Sequence, residues 1–294
     1  MSHPLANSYM EGSCFPTFLT LFFQQKMILF PNAKINLGLN VLYKRPDGFH
    51  ALQSCFYPVG WADVLEITEA ESYKFTSTGI EIPGDPSNNL CTKAYDLLKK
   101  DFDIPAVHIH LHKIVPIGAG LGGGSADGAF TLKGLNDLFG LGLSIKKLQT
   151  YAEQLGSDCP FFIENKPVWV TGRGEVFEPV ELDLSGKYIV LANPGIHIST
   201  AEAYGAITPQ EPTRNTKKEL EGDIAHWKAF VKNDFEEPIA KKYVAIQNLK
   251  EYMYQKGAVY ASMTGSGSTV FGIFDEKPLG LSFEKEIMTW EGTL

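Results

Sequence analysis

The feature that most limits how this chain can fold is a glycine-rich stretch near its middle, Pro116-Ile117-Gly118-Ala119-Gly120-Leu121-Gly122-Gly123-Gly124-Ser125-Ala126-Asp127, in which five of twelve residues are Gly. Before it, Val107, Ile109 and Leu111 alternate with His108, His110 and His112 as in a strand. After it, Ala129, Leu132, Leu135, Leu138 and Phe139 recur at helical spacing as far as Gly140. Glycine is needed where the backbone turns sharply or comes close to a ligand, and a glycine loop opening a helix aims unpaired N–H groups at one point. With the helix dipole added, phosphate is the natural guest. Ser125, at the helix start, also offers a hydroxyl to Mg2+.

Other uses of such a loop fit less well. Gly118-Ala119-Gly120-Leu121-Gly122-Gly123 satisfies the dinucleotide pattern G-x-G-x-x-G, but a second strand and an acidic residue should follow about 20 positions on. Here Leu143-Ser144-Ile145-Lys146-Lys147 starts another helix instead. The P-loop pattern fails because Gly124 precedes Ser125 and not Lys. A purely structural tight turn remains, weakened by the three glycines beyond Gly120.

Composition sets the outer bounds. The 294 residues suit one large domain or two smaller ones, and 44% apolar with 20% charged residues is ordinary globular usage. A net charge of -8 argues against a nucleic-acid or membrane-surface binder, while an anionic small ligand stays possible if local Lys and Arg hold it. Cys14, Cys55, Cys91 and Cys159 lie far apart with no C-x-x-C pair, as free thiols of a reducing cytoplasm would. Residues 1–26 look foreign to the rest: residues 15–23 are apolar but too short to span a bilayer, and only Glu11 is ionised before them. They are expected to be an extension, disordered or from an upstream start, with Met27 beginning the domain.

From Met27, Ile35, Leu37, Leu39, Val41 and Tyr43 alternate as a half-buried strand, with Lys34, Asn36, Gly38 and Asn40 on its other face. Pro46-Asp47-Gly48 is a turn, followed by Phe49 and His50; the polar face is either a site wall or a solvated surface. Residues 61–68 and 73–82 read as strands, residues 83–89 as a loop, and Leu90, Ala94, Leu97 and Leu98 as a helix. His108, His110 and His112 share one strand face and could bind a metal, but simple alternation explains them and no carboxylate is near to orient the rings. Ser144 caps a helix stopped by Gly156, and Asp158 follows, either a general base or a helix-stop residue. Residues 171–175 read as a hairpin turn, 188–192 as a buried strand, and Ser199 and Thr200 lead into a helix bearing Tyr204. The polar segment 208–221 looks mobile; beyond it come helical spacing and a strand, then a second glycine loop, Thr264-Gly265-Ser266-Gly267-Ser268, before another strand. That loop is a hairpin turn or a second backbone approach to a ligand.

Three segments stand together: Pro31-Asn32-Ala33-Lys34-Ile35-Asn36-Leu37, the first glycine loop, and Met263-Thr264-Gly265-Ser266-Gly267. In this order and spacing the chain resembles the GHMP small-molecule kinases over residues 27–274. Residues 45–50, 122–127 and 156–161 are similar to the branch that acts on a cytidine-diphosphate-linked methylerythritol in non-mevalonate isoprenoid synthesis. The resemblance implies an α+β, two-domain fold: a ribosomal-protein-S5-domain-2-like, ATP-binding N-terminal domain over 27–166 and a ferredoxin-like C-terminal domain over 167–294. It implies phosphoryl transfer from ATP to the 2-hydroxyl, with Asp158 as base and Lys34 as its charge partner. Asn36 would hold the erythritol, Phe49 stack on the cytosine, His50 hydrogen-bond it and Tyr204 cover its other face, with Thr264, Gly265, Ser266 and Gly267 on the same substrate. ATP would lie on Asn89, Leu90, Lys113, Pro116, Gly118, Gly120, Leu121, Gly122, Gly123, Gly124, Ser125 and Ala126, and Mg2+ on Ser125, the ATP phosphates and water.

The implied partners are small molecules alone, without nucleic acid or membrane, for a cytoplasmic monomer or weak homodimer. A homoserine- or mevalonate-type GHMP kinase would lack the aromatic pair for cytosine, and a nucleotide-binding regulator without catalysis would tolerate loss of Asp158. The chain departs from the family in Phe49, usually Tyr, and in Gly128, usually Ala, which is expected to loosen the first helical turn. It also ends soon after Trp290, which puts the last strand of the second domain in question.

Overall fold

The computed structural model describes residues 26–294; the expectations for residues 1–25, Cys14 among them, lie outside the described residues. The N-terminal half runs β1 (Lys26–Leu29), β2 (Asn32–Lys44), β3 (His50–Ala62), β4 (Val64–Glu69), β5 (Lys74–Gly79), α1 (Leu90–Asp101), β6 (Val107–Lys113), α2 (Gly123–Leu138), α3 (Ile145–Leu155) and α4 (Phe161–Glu164). It continues with β7 (Val168–Thr171), β8 (Val176–Glu178), β9 (Tyr188–Asn193), α5 (Thr200–Gly205), α6 (Thr216–Leu220), α7 (Trp227–Phe230), α8 (Glu236–Lys242) and α9 (Val244–Gln255). It closes with β10 (Tyr260–Met263), β11 (Val270–Phe274) and β12 (Met288–Thr293).

Among the described residues the strands form three four-stranded sheets, ordered β1-β4-β6-β5, β2-β3-β7-β8 and β10-β11-β9-β12. Only the β5–β6 pair is parallel among the described ladders. In β6 the expected alternation holds: Val107, Ile109 and Leu111 are fully buried and the three histidines face outward. Thr76 Oγ1 lies 2.9 Å from His108 Nε2 and 2.8 Å from His110 Nδ1, and Thr78 Oγ1 lies 3.1 Å from His110 Nε2 and 2.9 Å from His112 Nδ1, so each hydroxyl bridges two rings across the pair. No group of metal-ligand type is found among the described residues.

The first sheet and α1 to α4 enclose one core, which reaches Phe56 and Val170 of the second sheet. A second core lies between the second and third sheets, joining Ile35, Leu37 and Trp169 to Ile189, Leu191 and Phe271. A third packs α8 and α9 on the outer side of the last sheet. β7 and β8 therefore belong to the sheet of β2 and β3, through Cys55 paired with Trp169, although the sequence places them after the boundary at 166. Membership of a sheet is a long-range pairing that hairpin signals do not carry.

Several local readings change. β2 is buried on both faces because the first glycine loop, Thr264 of the second glycine turn, Thr216 of α6 and Asp234 cover its polar side; Lys34, Asn36 and Asn40 are each at most 5% exposed. The strand read over 61–68 is broken at Asp63, and residues 50–60 form a long strand that alternation had not marked. Gly156 ends α3 in an extended conformation at φ 169°, so no left-handed cap is needed there. The 208–221 segment carries α6, pinned by Thr216 Oγ1 donating to Asn40 Oδ1 at 2.6 Å. Gly128 allows close packing: a Cβ there would stand 2.9 Å from Leu90 Cβ of α1. β12 is present and pairs with β9 over Met288 to Thr293. Cys55, Cys91 and Cys159 are free and buried, and burial pushes the Cys159 thiol up to about 12, out of reach of thiolate chemistry at neutral pH.

Candidate active site

The glycine loop leaves β6 and turns into α2 through left-handed residues at Gly118, Gly120 and Gly122, with φ of 65°, 79° and 68°. At Gly120 the need for glycine is steric as well. A Cβ there would lie 2.1 Å from the carbonyl oxygen of Thr264, and one on Gly265 would lie 2.9 Å from Gly120 Cα. The two glycine turns are therefore pressed back to back. The Thr264 hydroxyl stitches them together: it accepts from the Asn36 backbone N–H at 2.9 Å and donates to the Gly120 carbonyl at 3.2 Å. Lys34 N–H donates to Leu121 O at 2.9 Å, which fixes β2 against the same loop. A Cβ on Gly124 would meet nothing within 4 Å, because that residue faces an open cavity of about 640 Å³ over the helix start.

Lys34 and Asp158 meet beside this cavity. The Lys34 ammonium lies 3.6 Å from Asp158 Oδ2, donates to Asn36 Oδ1 at 2.6 Å and sits 4.6 Å from the centre of the Phe56 ring. It is fully enclosed, and burial holds its pKa below the ordinary lysine range although Asp158 acts to raise it. Asn36 Nδ2 donates to Ser54 Oγ at 2.9 Å, so its amide is engaged on both sides in aiming Lys34. Asp158 stays a third exposed at the end of the helix-stop turn.

Beneath the loop lies a second charge cluster. Lys113 Nζ donates to Asp63 and, at 2.7 Å, to Asp127 on the first turn of α2. Asp63 also accepts from the Val115 N–H at 2.8 Å and from Ile114 N–H, so it anchors the loop where it leaves β6. All three side chains are almost completely buried. Burial opposes the Lys113 charge, but Asp127 and Asp63 outweigh it and the pKa is raised. Burial also dominates at Asp127, whose pKa is pushed up to about 7, and its Oδ1 has no hydrogen-bond partner.

A second cavity, of about 340 Å³, opens on the far side of Asp158 and is lined by Lys34, Asn36, Arg173, Tyr204, Phe235 and Ser266. Gly120, Gly122, Asp158, Thr200 and Ser266 border both cavities. One aromatic wall is built from distant segments: the His50 and Tyr204 rings stack at 4.5 Å with 19° between planes, and Phe235 meets Tyr204 edge-on at 4.9 Å.

The family pattern described as "GHMP kinases N terminal domain" matches residues 89–166, and "GHMP kinases C terminal" matches residues 216–280. A 4-diphosphocytidyl-2-C-methyl-D-erythritol kinase of Cytophaga hutchinsonii is 53% identical, over 86% of this chain and 94% of that protein. The chain belongs to the 4-diphosphocytidyl-2-C-methyl-D-erythritol kinase branch of the GHMP kinases. A second member, from Bacteroides fragilis, is 48% identical over 88% of this chain and 96% of its own length. A crystal structure of a 4-(cytidine 5'-diphospho)-2C-methyl-D-erythritol kinase superposes with a TM-score of 0.71 at 30% identity, covering 85% of this chain and 91% of that one. A homoserine kinase from Cytophaga hutchinsonii shares the fold, with a TM-score of 0.66 at 16% identity over 98% of both chains.

In this GHMP kinase, the residues expected at the nucleotide line the larger cavity except Leu121 and Ala126, which are buried in the second and first cores. Asn89 also caps α1, its Oδ1 accepting from Cys91 N–H at 2.8 Å. Lys34, Asp158, Asn36, Tyr204, Gly265 and Ser266 line the smaller cavity. Thr264 and Gly267 lie behind it, the first holding the two turns together and the second packed on Met263 and Ile198. His50 reaches the site through Tyr204, whereas Phe49 is 55% exposed with the Arg173 guanidinium 4.9 Å above its ring. Asp63, Arg173 and Phe235 were not marked by the sequence. An Asp that interrupts the strand pattern of 61–68 is the available signal for the first. Nothing local flags the other two.

Proposed function

We propose that the chain transfers the γ-phosphoryl group of ATP to the 2-hydroxyl of 4-diphosphocytidyl-2-C-methyl-D-erythritol, a step of non-mevalonate isoprenoid synthesis. The observation that carries this reading is the position of Asp158 in the wall between the two cavities. One cavity offers glycine backbone and the start of α2 to a triphosphate, as helix N-termini do for anions. The other offers cations and aromatic rings to a nucleotide-tagged alcohol. The names of the relatives support the choice of acceptor.

Phosphoryl transfer needs alignment and charge neutralisation more than covalent help from the protein. Asp158 orients the acceptor hydroxyl and takes its proton as the bond from that oxygen to the γ-phosphorus forms and the bond to the β–γ bridging oxygen breaks. Lys34 holds Asp158 in place from within the wall, and Asn36 keeps Lys34 aimed. The backbone of the loop and the first turn of α2 receive the triphosphate, and Ser266 closes the junction of the cavities. Asn89 and Leu90 flank the nucleotide's far end, and the rings of Tyr204 and His50 receive the cytosine.

The residues present fit a magnesium ion brought in by the nucleotide. Ser125 borders the cavity, the Asp127 Oδ1 is a buried oxygen without a partner nearby, and such an ion keeps most of its water and phosphate ligands. Ser125 would hold it, and the ion would supply charge neutralisation of the phosphates. No helix among the described residues is long and apolar enough to cross a membrane. Free buried cysteines support a cytoplasmic location, and we take the working form to be a monomer or weak homodimer.

The test is ATP-dependent turnover of the purified protein with the cytidine-linked methylerythritol beside homoserine and mevalonate. Turnover of the first alone is expected; turnover of homoserine or mevalonate in its place would overturn the assignment.

A further inference from the structure

An acceptor that joins a nucleoside to a polyol through a diphosphate brings two negative charges into the smaller cavity, and some group must meet them. Two cationic side chains line that cavity, Lys34 and Arg173. Lys34 is already enclosed and directed at Asn36 and Asp158. Arg173 differs in every respect. Its side chain is 44% exposed, and its nearest carboxylate, Glu175, stands 3.5 Å from Nε, leaving the terminal nitrogens open.

The placement of Arg173 is built rather than incidental. It sits in the turn between β7 and β8, flanked by Gly172 and Gly174 at φ of 73° and 109°. Leu52 N–H donates to the Gly172 carbonyl at 2.8 Å, which ties the turn to β3, and Gly174 N–H donates to Thr171 O at 3.1 Å. A Cβ on Gly174 would lie 3.9 Å from Asp158 Oδ1, so the turn passes directly over the carboxylate that borders both cavities. On its other side the guanidinium covers Phe49 at 4.9 Å. Arg173 thus stands between Asp158 and the ring of Phe49, the residue that precedes His50 of the His50–Tyr204 stack in the chain. That is the interval a diphosphate would occupy with its polyol at Asp158 and its base at the rings.

We infer that Arg173 is a specificity-determining residue whose guanidinium binds the diphosphate of the acceptor and so favours a nucleoside-diphosphate-linked polyol over a bare one. This rests on the acceptor proposed above. A guanidinium presents a planar fork that pairs with two phosphate oxygens at once, and stacking on Phe49 holds the fork in plane. The contact is made equally before and during transfer, so it acts on acceptor affinity and leaves the chemical step alone.

The experiment is steady-state kinetics of wild type, Arg173→Met and Arg173→Lys with ATP and the cytidine-linked methylerythritol, together with inhibition by CDP and by cytidine. Arg173→Met is expected to raise the acceptor KM about ten- to hundredfold, the range for a lost charge-assisted hydrogen bond, with kcat and the ATP KM changed less than about threefold. Arg173→Lys should fall between, since an ammonium keeps charge and loses the fork. CDP should inhibit wild type better than cytidine does, and Arg173→Met should erase that margin. An acceptor KM that moves less than about threefold, or an ATP KM that rises equally, overturns the Arg173 assignment while wild-type turnover leaves the reaction standing. Wild type that ignores the cytidine-linked acceptor overturns the reaction itself.

Discussion

Replacing Lys113 by Met would leave two carboxylates, Asp63 and Asp127, buried beneath the first glycine loop without the ammonium that bridges them. Removing one partner from a buried ion cluster costs about 3–5 kcal/mol. For 294 residues, at about 2.1 cal/mol/K of unfolding entropy each, that corresponds to a melting temperature lower by roughly 5–8 °C. The loss should depend on pH, because Asp127 can escape by keeping its proton. Its pKa is already raised from 3.8 to about 7 by burial, so the stability linked to this group is complete below 3.8 and is lost as pH rises through about 7. Without Lys113 nothing opposes burial at Asp127, and the proton is held more firmly still. Calorimetry of wild type and Lys113→Met should therefore show the full gap at about pH 8 and less than half of it at about pH 5. Adding Asp127→Asn should recover part of the loss at the higher pH. A variant that melts within about 2 °C of wild type at pH 8, or a gap that does not narrow on acidification, would refute the view that charge pairing holds the loop from below.

Asp158→Asn keeps the shape of the shared wall but cannot take a proton; turnover should fall by about 10²–10⁴, the usual worth of a positioned base, while ATP still binds by calorimetric titration. Near-normal turnover would remove Asp158 from the reaction. Gly120→Ala places a Cβ 2.1 Å from the Thr264 carbonyl at a residue with φ 79°, so it should lower both stability and turnover, with the left-handed backbone alone costing about 1–2 kcal/mol. Gly124→Ala, whose Cβ meets nothing within 4 Å, should leave melting unchanged, and equal damage from the two would show that the pressed glycine turns do not matter. Burial lowers the Lys34 pKa below 10.5, so its charge beside Asp158 is lost at a lower pH than for a free lysine. The alkaline fall of kcat/KM should begin below that value and move upward in Lys34→Arg. For folding the sign is the opposite of a salt-bridged lysine's: the stability tied to this depressed group is present above 10.5 and lost as pH falls through its native value.

Much of the site was legible in one dimension because its motifs are local. The step from β6 through left-handed glycines into α2 follows from strand alternation, helical spacing and the φ freedom of glycine within residues 107–139. Lys34 and Asn36 appear two apart on one strand face, and in the fold they do lie together, Nζ to Oδ1 at 2.6 Å. Asp158 could be marked as a base or a stop because the helix end and the apolar run around it enclose it either way. The same periodicity misjudged burial. It marked β2 as half-buried with a polar face that is either a site wall or a solvated surface, because alternation reports only that two faces differ and cannot say that the two glycine turns and α6 cover the polar one.

By itself the sequence determined the glycine loop that opens α2, the kinase resemblance and the placing of Lys34 and Asn36 on one strand face, since each is carried by neighbours in the chain. Tertiary structure decided what surrounds them. It set Thr264 against Gly120, placed Asp63 under Lys113, brought the β7–β8 turn and Arg173 over Asp158, and stacked Tyr204 on His50. Arg173 and Asp158 are 15 positions apart and the other pairs 50 or more, and no local propensity links them. Their meeting depends on which sheet a strand joins and how layers close, and that is settled by burial summed over the whole fold rather than by any one stretch of it.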